Sequence, residues 1–496
     1  MDTDQAARTL AALGLHAPGA GAVRITGLSV DSRSVAPGHL FAALPGSRVH
    51  GAAHAGAALR AGAAAILTDR AGAAQLQEAP GEVPVPVVVA EDPRQALAFA
   101  AALWHARQPE TVVAVTGTNG KTSVASFARQ IWAALGHEAA SLGTAGIEGD
   151  YSAPLRHTTP DPVELHRHLA AMAEAGVQHL AMEASSHGLD QRRLDGVRLA
   201  AAGFTNLSQD HLDYHGTMEA YFDAKAGLFH RVLGEDGIGV VNLDDPRGAG
   251  LAETLTARGQ EVIGVGTAAE AAIRIEGARF DATGQDLRFS WQGRARQVRL
   301  DLIGGFQGDN VLLAAGLVIA AGEDPDAVFA ALPRLAGVRG RMQHVATRAN
   351  GAAVFVDYAH TPDALATAIA ALRPHVMGQL LVVFGAGGDR DTTKRAAMGR
   401  AVAEHADDAI VTDDNPRSEA PDAIRAAVRA GCPNAAEIGD RAEAILRGVD
   451  AVGPGDALLI AGKGHETGQI VGDDVFPFDD AEQASVAVAA LDGRTV

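Results

Sequence analysis

Residues 111–122 read TVVAVTGTNGKT, and this stretch decides the fold. Its first half, 111–116, is a β-branched run of strand length. Gly117 and Gly120 then mark a turn, and an Ala-rich stretch over 123–135 has the period of a helix. A strand, a glycine turn and a helix that opens on Lys-Thr form the setting of a phosphate-binding loop. The glycines let backbone N–H groups turn inward, and the helix N-terminus adds partial positive charge. Lys121 is placed to reach outer phosphates, and Thr122 to ligate Mg²⁺. The loop is a shortened variant, because Val115 stands where the spacing G-x-x-x-x-G-K-T has its first glycine. A plain helix-capping turn would not require Lys-Thr after glycine.

The same alternation of β-rich runs and Ala-rich stretches extends in both directions, which predicts an α/β protein with parallel sheets and helical crossovers. Upstream, strands are expected over 23–25, 40–43, 64–67 and 86–89, then a helix over 93–105. Downstream, strands are expected over 179–182, 201–204 and 239–242. Residues 273–302 have a two-residue period and read as antiparallel. A helix over 310–322 and a Pro-bearing stretch over 332–340 close this part. Strands over 353–357, 379–384, 408–412 and 457–460 make up a third part. At roughly 100–200 residues per domain, 496 residues allow about three domains. We expect them over residues 1–90, 91–336 and 337–496.

Composition narrows the function. The formal charge is −19, which argues against a nucleic-acid footprint. The single cysteine, Cys432, excludes disulfides within the chain and any all-Cys metal site. The opening MDTDQAARTL carries acids where a secretory signal has bases, and no apolar run reaches the about 18 residues of a membrane span. We therefore expect a cytoplasmic protein without membrane or nucleic-acid partners. Of the 41 basic side chains only Lys121, Lys225, Lys394 and Lys463 are lysines. A lysine kept against that Arg background marks places where a compact, deprotonatable amine is needed.

Polar clusters follow strand after strand. In the centre they are GTNGKTS, Glu183 to His187, Asn206 to His215 and Asn242 to Asp245. Further on they are DYAHTPD, GAGGDRD, TDDNPR and AGKGHE. In parallel sheets such segments emerge at the carboxyl edge, where open α/β sheets bind ligands. Glu183 and His211 with Thr122 offer a carboxylate, an imidazole and a hydroxyl, a set that suits Mg²⁺ held with phosphate oxygens. Lys225, among small and apolar residues, is either a snorkelling surface side chain or a buried amine with chemistry. Arg390 and Arg417, beside Asp389, Asp414, Asn415 and Glu466, fit recognition of a zwitterion, with Arg forking onto its carboxylate.

Taken in order, TGTNGKT, MEASSHGLDQRR, FTNLSQDHLDYHG, DYAHTPD, GAGGDRD, TDDNPR and AGKGHE resemble the Mur ligases, the ATP-dependent amide-forming enzymes of peptidoglycan precursor synthesis. Within them the chain resembles the MurE type, which adds the third amino acid to UDP-N-acetylmuramoyl-L-alanyl-D-glutamate. The match runs from about Val30 to Gly472. TGTNGKT alone would also fit folylpolyglutamate synthases.

The resemblance implies three α/β domains: a small UDP-binding one, a central P-loop-like ATPase with a mostly parallel sheet, and a Rossmann-like C-terminal one. It implies UDP-substrate contacts at Val30, Ser32, Ser47, Arg48 and Val49, and a muramoyl-peptide path along His157, Thr158, Thr159, Ser185, Gln191 and Arg193. ATP would be held by Gly117, Thr118, Asn119, Gly120, Lys121, Thr122, Ser123 and Asn310, with Arg341 and Asp357 from the last domain. Lys121, Glu183, His211 and Lys225 would be catalytic, and Lys225 matches the family's carbamylated lysine. The acceptor would meet Arg390, Asp414, Asn415, Pro416, Arg417, Gly462 and Glu466, in the form associated with meso-diaminopimelate rather than L-lysine or L-ornithine. A monomer is expected. His157 and Gln307 stand where the family often has Asn.

Overall fold

The computed structural model describes residues 7–46, 49–78 and 83–493. It divides into two compact units. One comprises the chain up to Thr116 with Gly136–Ala202 and Phe222–Gly239; the other comprises Gly117–Leu135, Gly203–Tyr221 and the chain from Val240 onward.

The first unit begins with a four-stranded sheet in the order Gly27–Ser29, His39–Ala42, Ala65–Thr68, Val87–Val89, every neighbour parallel. Successive side chains of a strand point to opposite faces. Leu40, Ala42 and Leu67 accordingly enter one core with Leu97 and Trp104, while Phe41, Ala43 and Ile66 enter another with Ala55 and Leu76. Helix Pro93–His105 is capped by Asp92, whose carboxylate accepts from Gln95 N at 3.0 Å. The strand Thr111–Thr116 then pairs in parallel with His179–Glu183, and that strand with Ala139–Gly143. Gly146–Gly149 adds an antiparallel edge. The pair over 139–149 escapes a propensity reading because small residues dominate it; burial between neighbours forms the strand, not β-branching.

The second unit holds the helix Lys121–Leu135 and an antiparallel meander of Ile273–Asp281, Gly284–Trp291 and Arg294–Leu300, as the alternation over 273–302 predicts. Helix Phe306–Ala320 starts earlier than expected, since FQGDN already belongs to it. A six-stranded sheet follows in the order Gln343–Thr347, Ala353–Asp357, Ala457–Ala461, Leu380–Phe384, Asp408–Val411, Ala436–Glu437. Only the first pairing is antiparallel. Its strands are apolar on both faces. Phe355, Val382, Phe384 and Leu459 face one buried layer, and Val354, Val356, Val383 and Ile460 face the other. A sheet covered by helices on both sides exposes function only at its strand ends. No helix among the described residues is long and apolar enough to cross a membrane.

Candidate functional site

In the second unit the glycine loop is built by backbone geometry. Gly117 has φ 145° and Gly120 has φ 88°, both in the left-handed half of the map. A Cβ on Gly120 would run into Asn310 Oδ1, and one on Gly117 into Thr205 Oγ1. Only glycine therefore leaves the cradle open. The loop is braced from the segment after Ala201–Phe204. Thr118 N donates to Asn206 O at 2.8 Å, Asn119 N to Asn206 Oδ1 at 3.0 Å, and Thr205 Oγ1 to Asn119 O at 2.6 Å. Lys121 Nζ curls over the turn onto Gly117 O and Thr118 O at 3.0 and 2.8 Å. Thr122 and Ser123 are buried at the helix start. Asn310 is buried too, its Nδ2 3.3 Å from Gln307 Oε1.

Arg341 reaches this loop: its Nη2 donates to Thr122 Oγ1 at 3.1 Å, and its guanidinium lies 4.4 Å from the centre of the Tyr358 ring. Asp357 accepts from Met342 N and Ala359 N at 2.7 and 2.8 Å, fixing the turns on both sides of the strand end. Burial pushes the Asp357 carboxyl up, against the nearby Arg341. His211 sits at φ 52°, half exposed, 3.4 Å from Asp210. Burial alone would raise Asp210, but His211, His360 and Lys121 together hold it below the usual carboxylate range. Burial lowers Lys394, opposed by Asp210, Asp391 and Asp414. These charges run from the glycine loop to the carboxyl edge of the six-stranded sheet.

At that edge Arg417 has φ 51° and donates from Nη1 to Gly388 O at 2.8 Å, tying the NPR segment to the GAGG turn. Arg390 is exposed beside it. Asp414, Asn415, Pro416 and Gly462 are buried. Asn415 Nδ2 donates to Glu466 Oε2 at 2.9 Å, and Lys463, fully buried, donates to the same oxygen at 3.0 Å. Beneath them Arg441 and Asp480, both with no exposed side-chain surface, form a two-pronged ion pair at 2.7 Å. Arg441 Nη2 also caps the carbonyl of Ala461 at 3.0 Å, one residue before Gly462.

The first unit gathers a separate network. Glu183 ends its strand fully buried, taking Thr144 N on Oε1 at 2.8 Å and Thr144 Oγ1 on Oε2 at 3.1 Å. Thr144 Oγ1 is 3.0 Å from Thr158 Oγ1. Thr159 Oγ1 donates to Glu183 O and accepts from Ser185 N, both at 3.1 Å. Arg193 donates to Thr159 O at 2.6 Å and to Gln191 Oε1 at 2.8 Å. Thr158, Thr159, Ser185, Gln191 and Arg193 thus come together around Glu183, while His157 stays exposed. Val30 and Val49 are exposed and Ser32 half-buried; Ser47 and Arg48 lie outside the described residues. Lys225 is 1% exposed, so the snorkelling reading fails. Glu183 and Lys225 belong to this unit, and Thr122 and His211 to the other.

The residue-by-residue reading passed over Thr144, His360, Lys394 and Lys463, and took Asp210 only as a neighbour that favours a functional His211. Asp210 and His360 lay within quoted clusters, and both lysines were marked by rarity alone. Thr144 follows the unforeseen strand over 139–143, so its place at a strand end was invisible.

Comparison with known proteins bears on the whole chain. Residues 24–105 match the family described as "Mur ligase family, catalytic domain", 115–318 "Mur ligase middle domain", and 340–464 "Mur ligase, glutamate ligase domain". The UDP-N-acetylmuramoyl-L-alanyl-D-glutamate–2,6-diaminopimelate ligase of Bradyrhizobium diazoefficiens is 50% identical over 477 residues, 95% of this chain and 96% of that protein. A solved structure of a ligase of the same name superposes with a TM-score of 0.70 at 33% identity, covering 98% of this chain and 99% of that one. A folylpolyglutamate synthase of Mycobacterium tuberculosis superposes with a TM-score of 0.60 at 21% identity over 81% of this chain, a likeness of fold alone.

Proposed function

The chain belongs to the Mur ligase family, with its three-domain α/β fold, and we propose that it joins meso-diaminopimelate to the D-glutamyl γ-carboxylate of UDP-N-acetylmuramoyl-L-alanyl-D-glutamate with cleavage of ATP to ADP and inorganic phosphate. In this reading residues 1–90 bind the UDP moiety, 91–336 bind ATP, 337–496 bind the acceptor, and the protein acts as a cytoplasmic monomer. The observation that carries the acceptor assignment is the carboxyl edge of the last sheet. There Arg417, Asn415 and Glu466 bring a guanidinium, an amide and a carboxylate onto two adjacent, mutually bonded loops.

A carboxylate is a poor acylating agent. Its oxygen attacks the γ-phosphorus of ATP, the bond from that phosphorus to the β–γ bridging oxygen breaks, and an acyl phosphate and ADP result. The open cradle at Gly117 and Gly120 fits the phosphates, and Lys121 follows the charge as it passes to the leaving oxygens. Arg341, laid on Thr122, adds a second positive group beside the loop. Among the candidate Mg²⁺ ligands, Glu183 keeps lone pairs beyond the two bonds from Thr144, so its donor chemistry fits the ion. When bound, that ion neutralises phosphate charge. The acceptor amine then attacks the acyl carbon, loses a proton, and inorganic phosphate leaves.

Lys225 is read as the family's carbamate. An amine buried to 1% exposure that takes up carbon dioxide becomes an anion, a change open to lysine and closed to arginine. ADP release tests the reaction: it should require both the UDP-muramoyl-dipeptide and an amino acid, a folate substrate should give none, and Lys225→Arg should remove most turnover. Release driven by folate and glutamate would favour the polyglutamate reading. Full activity of Lys225→Arg would end the carbamate role and leave the ligase standing.

A further inference from the structure

The acceptor loop is fastened by one side chain that touches no surface. Lys463 is fully buried, and its ammonium has three N–H bonds. They meet three acceptors: Asn415 Oδ1 at 3.1 Å, Glu466 Oε2 at 3.0 Å and Gly468 O at 2.6 Å. An ammonium can only donate. It therefore compels the Asn415 amide to turn its oxygen inward, where Ile470 N also donates to it at 3.0 Å. The amide nitrogen must then face Glu466 Oε2, 2.9 Å away. Among the described residues, the second N–H of Asn415 and Oε1 of Glu466 make no hydrogen bond, and the Glu466 side chain is 33% exposed. One is a donor suited to a carboxylate, the other an acceptor suited to an ammonium.

We propose that Lys463 is a positioning residue for acceptor choice: by fixing the Asn415 amide and one Glu466 oxygen it presents a donor–acceptor pair complementary to a zwitterionic amino-acid end. The proposal rests on the acceptor reading above and adds what sets its geometry. Diaminopimelate carries ammonium and carboxylate at its far carbon, whereas lysine and ornithine carry only the amine there. With the pin removed, the amide can rotate and the carboxylate can swing. An acceptor with a far carboxylate then loses its partner, and one without it loses little. Polar groups left unpaired in a buried site are the source of strong discrimination.

The test is Lys463→Met, one atom shorter and without charge, assayed as the full chain with ATP and UDP-muramoyl-dipeptide. The diaminopimelate KM should rise about tenfold or more, with kcat, ATP KM and UDP-substrate KM nearly unchanged. The preference for diaminopimelate over L-lysine should fall by a similar factor, and added ethylammonium should restore part of it in Lys463→Ala. An unchanged diaminopimelate KM and preference, or equal rises in all three KM values without amine rescue, would overturn the proposal. Should the Lys463 variants not fold, Glu466→Gln reads the same network. It should weaken diaminopimelate more than lysine, and equal weakening would count against the pin. Failure of the acceptor reading itself is a separate result, since it would appear in the parent as a preference for lysine or ornithine.

Discussion

The two working loops of the second unit are held in opposite ways. The glycine loop over 117–122 is held by backbone: two glycines in left-handed conformations, neutral hydroxyl and amide braces from Thr205 and Asn206, and a lysine lying on the surface of the turn. The acceptor loops over 414–417 and 462–466 are held by buried charge: Lys463 with Glu466 above, Arg441 with Asp480 below. A loop closed within a few residues announces itself as a motif. A loop pinned by a charge 48 residues away does not. The difference also separates catalysis from stability. At the first loop the charged side chain is half-buried and free of core packing, and at the second the charges are part of the core.

The largest effect should come from the first loop. Lys121→Ala should reduce ADP formation by at least roughly 10²–10³-fold, the scale of losing one preorganised charge on the transferring group. Its thermal midpoint should stay near that of the parent. A comparable loss of stability would erase the contrast. At the second loop, Asp480→Asn leaves Arg441 buried and uncompensated, which should cost about 3–5 kcal/mol of unfolding free energy. Urea unfolding measures it, and a change under about 1 kcal/mol would show that the pair is replaceable. The two substitutions should thus divide cleanly, one on rate and one on stability.

A smaller effect concerns His375, which joins the parts that carry the two loops. Its Nε2 accepts from Gly304 N at 3.1 Å and its Nδ1 donates to Asp281 O at 2.6 Å, so the ring is neutral. Burial lowers its pKa below 6.5, and the Asp281 contacts only partly oppose this. The unfolded chain therefore binds the proton first, and stability present above pH 6.5 falls as the pH drops below that value. Protonation removes the lone pair that Gly304 uses, a loss of about 1 kcal/mol. Thermal midpoints between pH 7.5 and about 5 should slope less in His375→Gln than in the parent; parallel slopes would assign the acid sensitivity elsewhere.

Local pattern carried much of the fold. Strands Thr111–Thr116, Ala201–Phe204 and Ala353–Asp357 and helix Pro93–His105 have the limits read from β-branching and periodicity. Strands of small residues, such as Ala139–Gly143, were not legible, because burial by neighbours distant in sequence makes them strands. At the sites, the glycine loop and the strand-end clusters could be read directly. Thr144 under Glu183 could not, nor could the roles of Lys463, Arg441 and Asp480, since each acts through a partner that only the folded chain supplies.

The central claim is that this Mur ligase accepts a diamino acid with a second carboxylate. It is tested most directly by the ratio of kcat/KM for meso-diaminopimelate to that for L-lysine and L-ornithine, in the parent and in Arg417→Ala. The account predicts a parent preference of at least about a hundredfold, the scale set when buried polar groups lose their partner, and a collapse of that preference in the variant. A parent that prefers lysine or ornithine, or a preference untouched by Arg417→Ala, would contradict it.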